Sequence, residues 1–112
     1  MDLKNFLPKE KRIRVGLIGF GKTGRAVAEV LLRDKTVDLC WVVRQSHSLE
    51  HRSVPEFLGI HSDEDGHIFS IQDTSLEDLQ ESNPVDAIVD FSSEAGMDFY
   101  LDTAAKDKIT VI

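Results

Sequence analysis

Three glycines carry the first chemical signal in this chain. Gly19-Phe20-Gly21-Lys22-Thr23-Gly24 fits the spacing G-x-G-x-x-G. An apolar run, Arg14 to Gly19, precedes it, and a segment of helical character, Arg25 to Leu32, follows. Strand, glycine turn and helix in that order are the setting in which such a loop holds a dinucleotide pyrophosphate. Each glycine has its own task. Gly19 permits the tight turn out of the strand. Gly21 has no Cβ, so phosphate can reach the backbone. Gly24 lets the helix pack close to the strand. The first N–H groups of the helix have no internal partners, and with the helix dipole they face the phosphates. A turn that uses glycine for geometry alone is the bland alternative.

The second signal lies near the end of the next apolar run, VDLCWVV. In NAD sites a carboxylate about 20 residues beyond the glycines binds the ribose 2′-OH. Here that place reads Val43-Arg44-Gln45-Ser46, with Ser48 close behind. A guanidinium matches a phosphate in bidentate fashion, whereas a carboxylate would repel one. The expected cofactor is therefore NADP, with NAD left open. Lys22 is placed to reach the same phosphate or the pyrophosphate. An ordinary solvated arginine at a strand end remains the alternative for Arg44.

Asp90-Phe91-Ser92-Ser93 closes a further apolar run, VDAIVDF. In an open parallel sheet this is the carboxyl end, beside the switch point where ligands bind. Phe91 and Ser92 are candidates to touch the nicotinamide ribose; helix capping by Ser92 or Ser93 is the competing role. His47 and His51 stand four apart, but Ser48 occupies the place where a zinc protease needs Glu. With His61, Asp63, Asp65 and His67 they read as a solvated polar loop, and no metal is expected. Cys40 sits inside an apolar run and reads as a buried, inert thiol. No catalytic triad or carboxylate pair can be assembled, so no catalytic residue is assigned.

The elements that must position these residues follow from pattern. Residues 1–12 form a polar lead-in. Strands are expected at Arg14–Gly19, Val37–Val43, His67–Ile71, Val85–Phe91 and from Ile109. Ala26, Val27, Val30 and Leu31 give the first helix an apolar face. Ser53-Val-Pro-Glu56 can cap a short helical turn, and Thr74-Ser-Leu-Glu77 is a capping box for another helix, stopped at Asn83-Pro84. A last helix runs to about Lys106. Strands alternating with helices imply an α/β, doubly wound parallel sheet, of order 3-2-1-4-5. The sequence closes on a strand with nothing to cover it, so a longer parent protein is expected.

Composition narrows the partners. A formal charge of -7 over 112 residues argues against nucleic acid and membrane surfaces, both of them anionic. No segment approaches the about 20 apolar residues of a membrane span, and no signal peptide is recognised. A lone cysteine fits a reducing compartment, and a cytoplasmic location is expected.

Taken together, RVGLIGFGKTGR, the basic residue after VDLCWVV, and above all VDAIVDFSSEA resemble the N-terminal domain of dihydrodipicolinate reductase, an enzyme of lysine biosynthesis. The resemblance runs from about Ile13 to Ile112. It implies that Gly19, Gly21 and Gly24 form the phosphate loop, that Lys22 is its basic position, and that Arg44 sets the choice between NAD and NADP. It places Phe91 and Ser92 at the nicotinamide side. The loop here is one residue shorter than usual in that family, with Thr23 where Met is common. What the resemblance implies is hydride transfer from NADPH to a small cyclic imine. The small-molecule substrate would bind mainly to a C-terminal domain absent from residues 1–112, in a homo-oligomer, and this domain alone would bind cofactor weakly and catalyse nothing. Homoserine, aspartate and diaminopentanoate dehydrogenase-like proteins begin similarly. A non-catalytic dinucleotide sensor and a coenzyme A or sugar-nucleotide binder are the readings from other classes.

Overall fold

The computed structural model describes residues 7–92 and 94–112. A 3-10 turn at Lys9–Lys11 leads into alternating strands and helices: β1 Ile13–Ile18, α1 Lys22–Arg33, β2 Val37–Arg44, α2 Val54–Leu58, β3 His67–Ser70, α3 Leu76–Ser82, β4 Ala87–Asp90, α4 Glu94–Lys106 and β5 Thr110–Val111. All strand pairs are parallel, in the order β3-β2-β1-β4-β5 that the alternation implied.

The central strands are apolar on both faces because helices cover both. Leu17 and Val42 join Ala28, Leu32 and Val54 in one cluster. Their neighbours Ile18 and Val43 join Leu76, Leu79, Tyr100 and Ala104 on the other face. This is why β2 is buried from Val37 through Val43 without a polar alternation. Gly16 faces the Trp41 ring, where any Cβ would overlap the indole. The β1–β2 register shifts at that point, pairing Val15 with Leu39 and Gly16 with Trp41.

Local details depart from expectation in three places. Helix α1 begins at Lys22 and buries Gly24, Ala28 and Leu32, while Ala26 is exposed and Val30 is 66% exposed. The cause is the glycine turn: a Cβ at Gly24 would overlap the Gly19 carbonyl, so Gly24 must face that turn, and every fourth residue after it faces the sheet. Helix α3 is capped by Ser75, not Thr74, whose neighbour's hydroxyl accepts the Asp78 N–H at 3.2 Å. Strand β4 is shorter than Val85–Phe91, running Ala87–Asp90; just before it the Asp86 carboxylate accepts the Arg14 N–H at 3.0 Å. The Ser53 cap of α2 and the stop at Asn83 are as expected. Ser93, one of the two expected caps of α4, lies outside the described residues. Among the described residues, no helix is long and apolar enough to cross a membrane.

Several polar groups at the amino ends of the strands bond to one another. Arg14 donates to the Asp38 carboxylate at 3.4 Å, to the Pro84 carbonyl at 2.6 Å and to Asn83. The buried Glu64 carboxylate accepts the Leu39 N–H at 2.5 Å and the Ser62 hydroxyl at 2.7 Å. Arg12 donates to Asp63 at 2.7 Å, which holds the Asp63 carboxyl below its usual range.

Candidate functional site

A cleft of about 280 Å³ opens at the carboxyl ends of β1, β2, β3 and β4. Strand order alone puts it there: β1 lies between β2 and β4, and the chain leaves β1 through a glycine turn rather than a bulky loop. Gly19 takes a positive φ of 107°. Its N–H donates to the Val43 carbonyl at 2.8 Å, while the Phe91 N–H donates to the Ile18 carbonyl at 2.8 Å. The turn is thereby tied to the strand on either side.

Of the nine residues singled out in the sequence, six line the cleft: Gly19, Phe20, Gly21, Arg44, Phe91 and Ser92. Phe20 is 1% exposed, and its ring packs edge-on against Phe57 with centroids 6.0 Å apart. Gly21 is open where it matters, for a Cβ there would meet nothing within 4 Å. Lys22, Thr23 and Gly24 do not line the cleft. Lys22 and Thr23 are exposed in the first turn of α1, and Gly24 is consumed by close packing on Gly19. Helix α1 has no side-chain cap, whereas α2 and α3 are capped by Ser53 and Ser75. Its first N–H groups are thus not satisfied by a cap residue.

Arg44 ends β2 half-buried at the rim. It donates to the Ser48 carbonyl at 3.4 Å. Among the described residues, no carboxylate lies within ion-pair distance of it. Gln45 and Ser46 line the cleft beside it. Sequence reasoning missed Ile71, which enters because the β2–β3 register sets Arg44 against Ser70 and the Ile71 N–H donates to the Arg44 carbonyl at 2.8 Å. Its place at the carboxyl end of a predicted strand was the available signal. At the other rim Phe91 is 49% exposed.

The loop after β2 is clamped to the loop after β3. Gln72 donates to the Gln45 carbonyl at 3.1 Å, and His47 Nε2 lies 3.0 Å from Asp73. His47 and His51 share no site. His47, Glu50 and Asp73 do bring one ligand atom each within 4.8 Å of one another. Cys40 is buried, and burial first, then the Asp38 charge, pushes its thiol up to about 12, so it is inert at neutral pH.

A family model described as "Dihydrodipicolinate reductase, N-terminus" matches residues 13–112. No curated protein matches the sequence. Among solved structures, RSP, a Rex-family repressor, matches with a TM-score of 0.66 at 16% identity, over 89% of this chain and 43% of that one. GenD2 from gentamicin A biosynthesis, in complex with NAD, matches at 0.63 and 23% identity, over 90% and 26%. DAP dehydrogenase of C. glutamicum, in complex with DAP, matches at 0.51 and 16% identity, over 91% and 27%. At these identities the likeness is one of fold. The chain spans less than half the length of the first structures it matches. RSP also overturns one expectation. Its structure in complex with beta-NAD+ and operator DNA contains a unit of this fold, so a domain of this fold can belong to a protein that binds nucleic acid, and the expectation of no nucleic-acid partner does not stand. Net charge describes a surface and its steering of ligands, not what the rest of a protein carries.

Proposed function

The chain belongs to the dihydrodipicolinate reductase N-terminal family, and on that premise we propose that it is the NADP(H)-binding domain of an oxidoreductase that reduces a small cyclic imine in lysine and diaminopimelate biosynthesis. The observation that carries the cofactor reading is Arg44: a guanidinium on the cleft rim, at the end of the second strand, with no carboxylate partner among the described residues. The nicotinamide ring supplies the hydride when bound. This chain's residues bind and orient. The Gly19–Gly21 main chain and the uncapped amino end of α1 receive the pyrophosphate. Arg44, with Ser46 beside it, receives the 2′-phosphate. Phe91 and Ser92 form the wall for the nicotinamide ribose. Lys22, exposed at the start of α1, adds positive charge outside the cleft. A reducing, cytoplasmic setting belongs to the same reading, given one thiol that is buried and inert.

Calorimetric titration with NADPH and NADH tests it. NADPH is expected to bind at least about tenfold more tightly, the scale of one charge-assisted hydrogen-bonded contact, and Arg44→Asp is expected to abolish the difference. Equal affinities in the unsubstituted protein would contradict it. They would favour a second reading, a dinucleotide-sensing module, for which the fold likeness to RSP in complex with beta-NADH is the supporting observation.

A further inference from the structure

The wall of the cleft formed by Phe91 and Ser92 is an exposed turn, yet its position is tightly determined. On one side it leans on the glycine turn, where a Cβ at Gly19 would stand 2.7 Å from the Phe91 carbonyl oxygen. On the other it is held by the Asp90 carboxylate. Asp90 Oδ1 accepts the Ser92 N–H at 2.8 Å and the Ser92 hydroxyl at 2.5 Å. Those bonds hold only if the carboxylate plane is fixed. Its second oxygen, Oδ2, accepts the Tyr100 hydroxyl at 2.8 Å.

Tyr100 reaches Asp90 from α4 and is 6% exposed, part of the buried cluster that also holds Ile88, Ala104 and Ile109. We propose that Tyr100 is a positioning residue for the nicotinamide half of the site, acting through Asp90 to hold the Phe91–Ser92 wall. The proposal rests on the dinucleotide reading of the cleft. Burial, then the hydrogen bond to Asp90 and its charge, push the Tyr100 hydroxyl up to about 12. It therefore stays protonated, and stays a donor, across the neutral range. The strand order makes the effect one-sided. Arg44 ends β2 and Phe91 follows β4, with β1 between them. Loosening the β4 end leaves the Arg44 rim untouched.

Tyr100→Phe removes one oxygen and keeps the ring. NADPH affinity is expected to fall about tenfold, the scale of a hydrogen bond to a charged group. Adenosine 2′,5′-bisphosphate, which lacks the nicotinamide half, is expected to bind as before. Asp90→Asn, which keeps the tyrosine in place, is expected to show the same selective loss. It decides the matter should Tyr100→Phe fail to fold. Unchanged NADPH affinity, or equal loss of both probes, overturns the inference. Failure of the unsubstituted protein to bind either probe overturns the reading of the cleft, and the inference with it.

Discussion

At the amino ends of the strands, Arg14 meets Asp38, Asn83 and the Pro84 carbonyl, and Glu64 meets Leu39 and Ser62. At the carboxyl ends, Arg44 meets one carbonyl at 3.4 Å. Both ends use an arginine at a strand terminus. One is answered from within the protein; the other stands beside a cleft with no carboxylate partner among the described residues. Burial sharpens the contrast, for the Asp38 side chain is 1% exposed and could not remain charged there without its partners. A charge retained at a cleft rim without an internal partner points to an external one. Charges paired at the far end contribute to fold specificity and stability.

The largest expected effect strikes stability and binding together. Gly24→Ala forces a methyl group into the Gly19 carbonyl, and neither backbone can move aside cheaply. A loss of about 3 kcal/mol is expected in urea melts, with cofactor binding lost as well. Arg14→Ala should separate the ends. It removes one charged partner of the buried Asp38 carboxylate, and about 2 kcal/mol of stability should go, discounted for the partial exposure of Arg14, while NADPH affinity stays as it was. Arg44→Ala should do the reverse. NADPH affinity is expected to drop about tenfold or more with stability within about 0.5 kcal/mol of the parent. A large stability loss there would erase the contrast.

The smallest effect belongs to pH. The Arg12 hydrogen bond holds the folded Asp63 carboxyl below its ordinary value of 3.8. The pair's contribution is complete above that value and is lost as pH falls through the lower folded one. Since the Asp63 side chain is 43% exposed, it is worth no more than about 1 kcal/mol. Thermal melts of the parent and Asp63→Asn should differ at about pH 6 and draw together as the pH falls below 3.8.

The glycine spacing, the Arg44 position and the strand order were legible because each rests on local pattern or on the handedness of parallel crossovers. The Ser53 cap was legible for the same reason. What escaped depends on contacts distant in sequence. Ile71 enters the cleft only through the β2–β3 register. The phase of α1 is set by Gly24 against Gly19, so Val30 faces outward despite its apolar side chain. The Asp90–Tyr100 bond joins residues ten apart on different elements, a spacing with no periodic signature. Net charge is a poor guide to partners, because the balance of one domain does not speak for a whole protein.

The most direct test of the central claim is an amide-resolved NMR titration with NADPH. The expected result is saturable shifts at Gly19, Gly21, Arg44, Ser46 and Ser92, with Arg12, Arg14, Leu39 and Glu64 unmoved. Shifts centred on the amino ends of the strands, or none at the glycine turn, would contradict it.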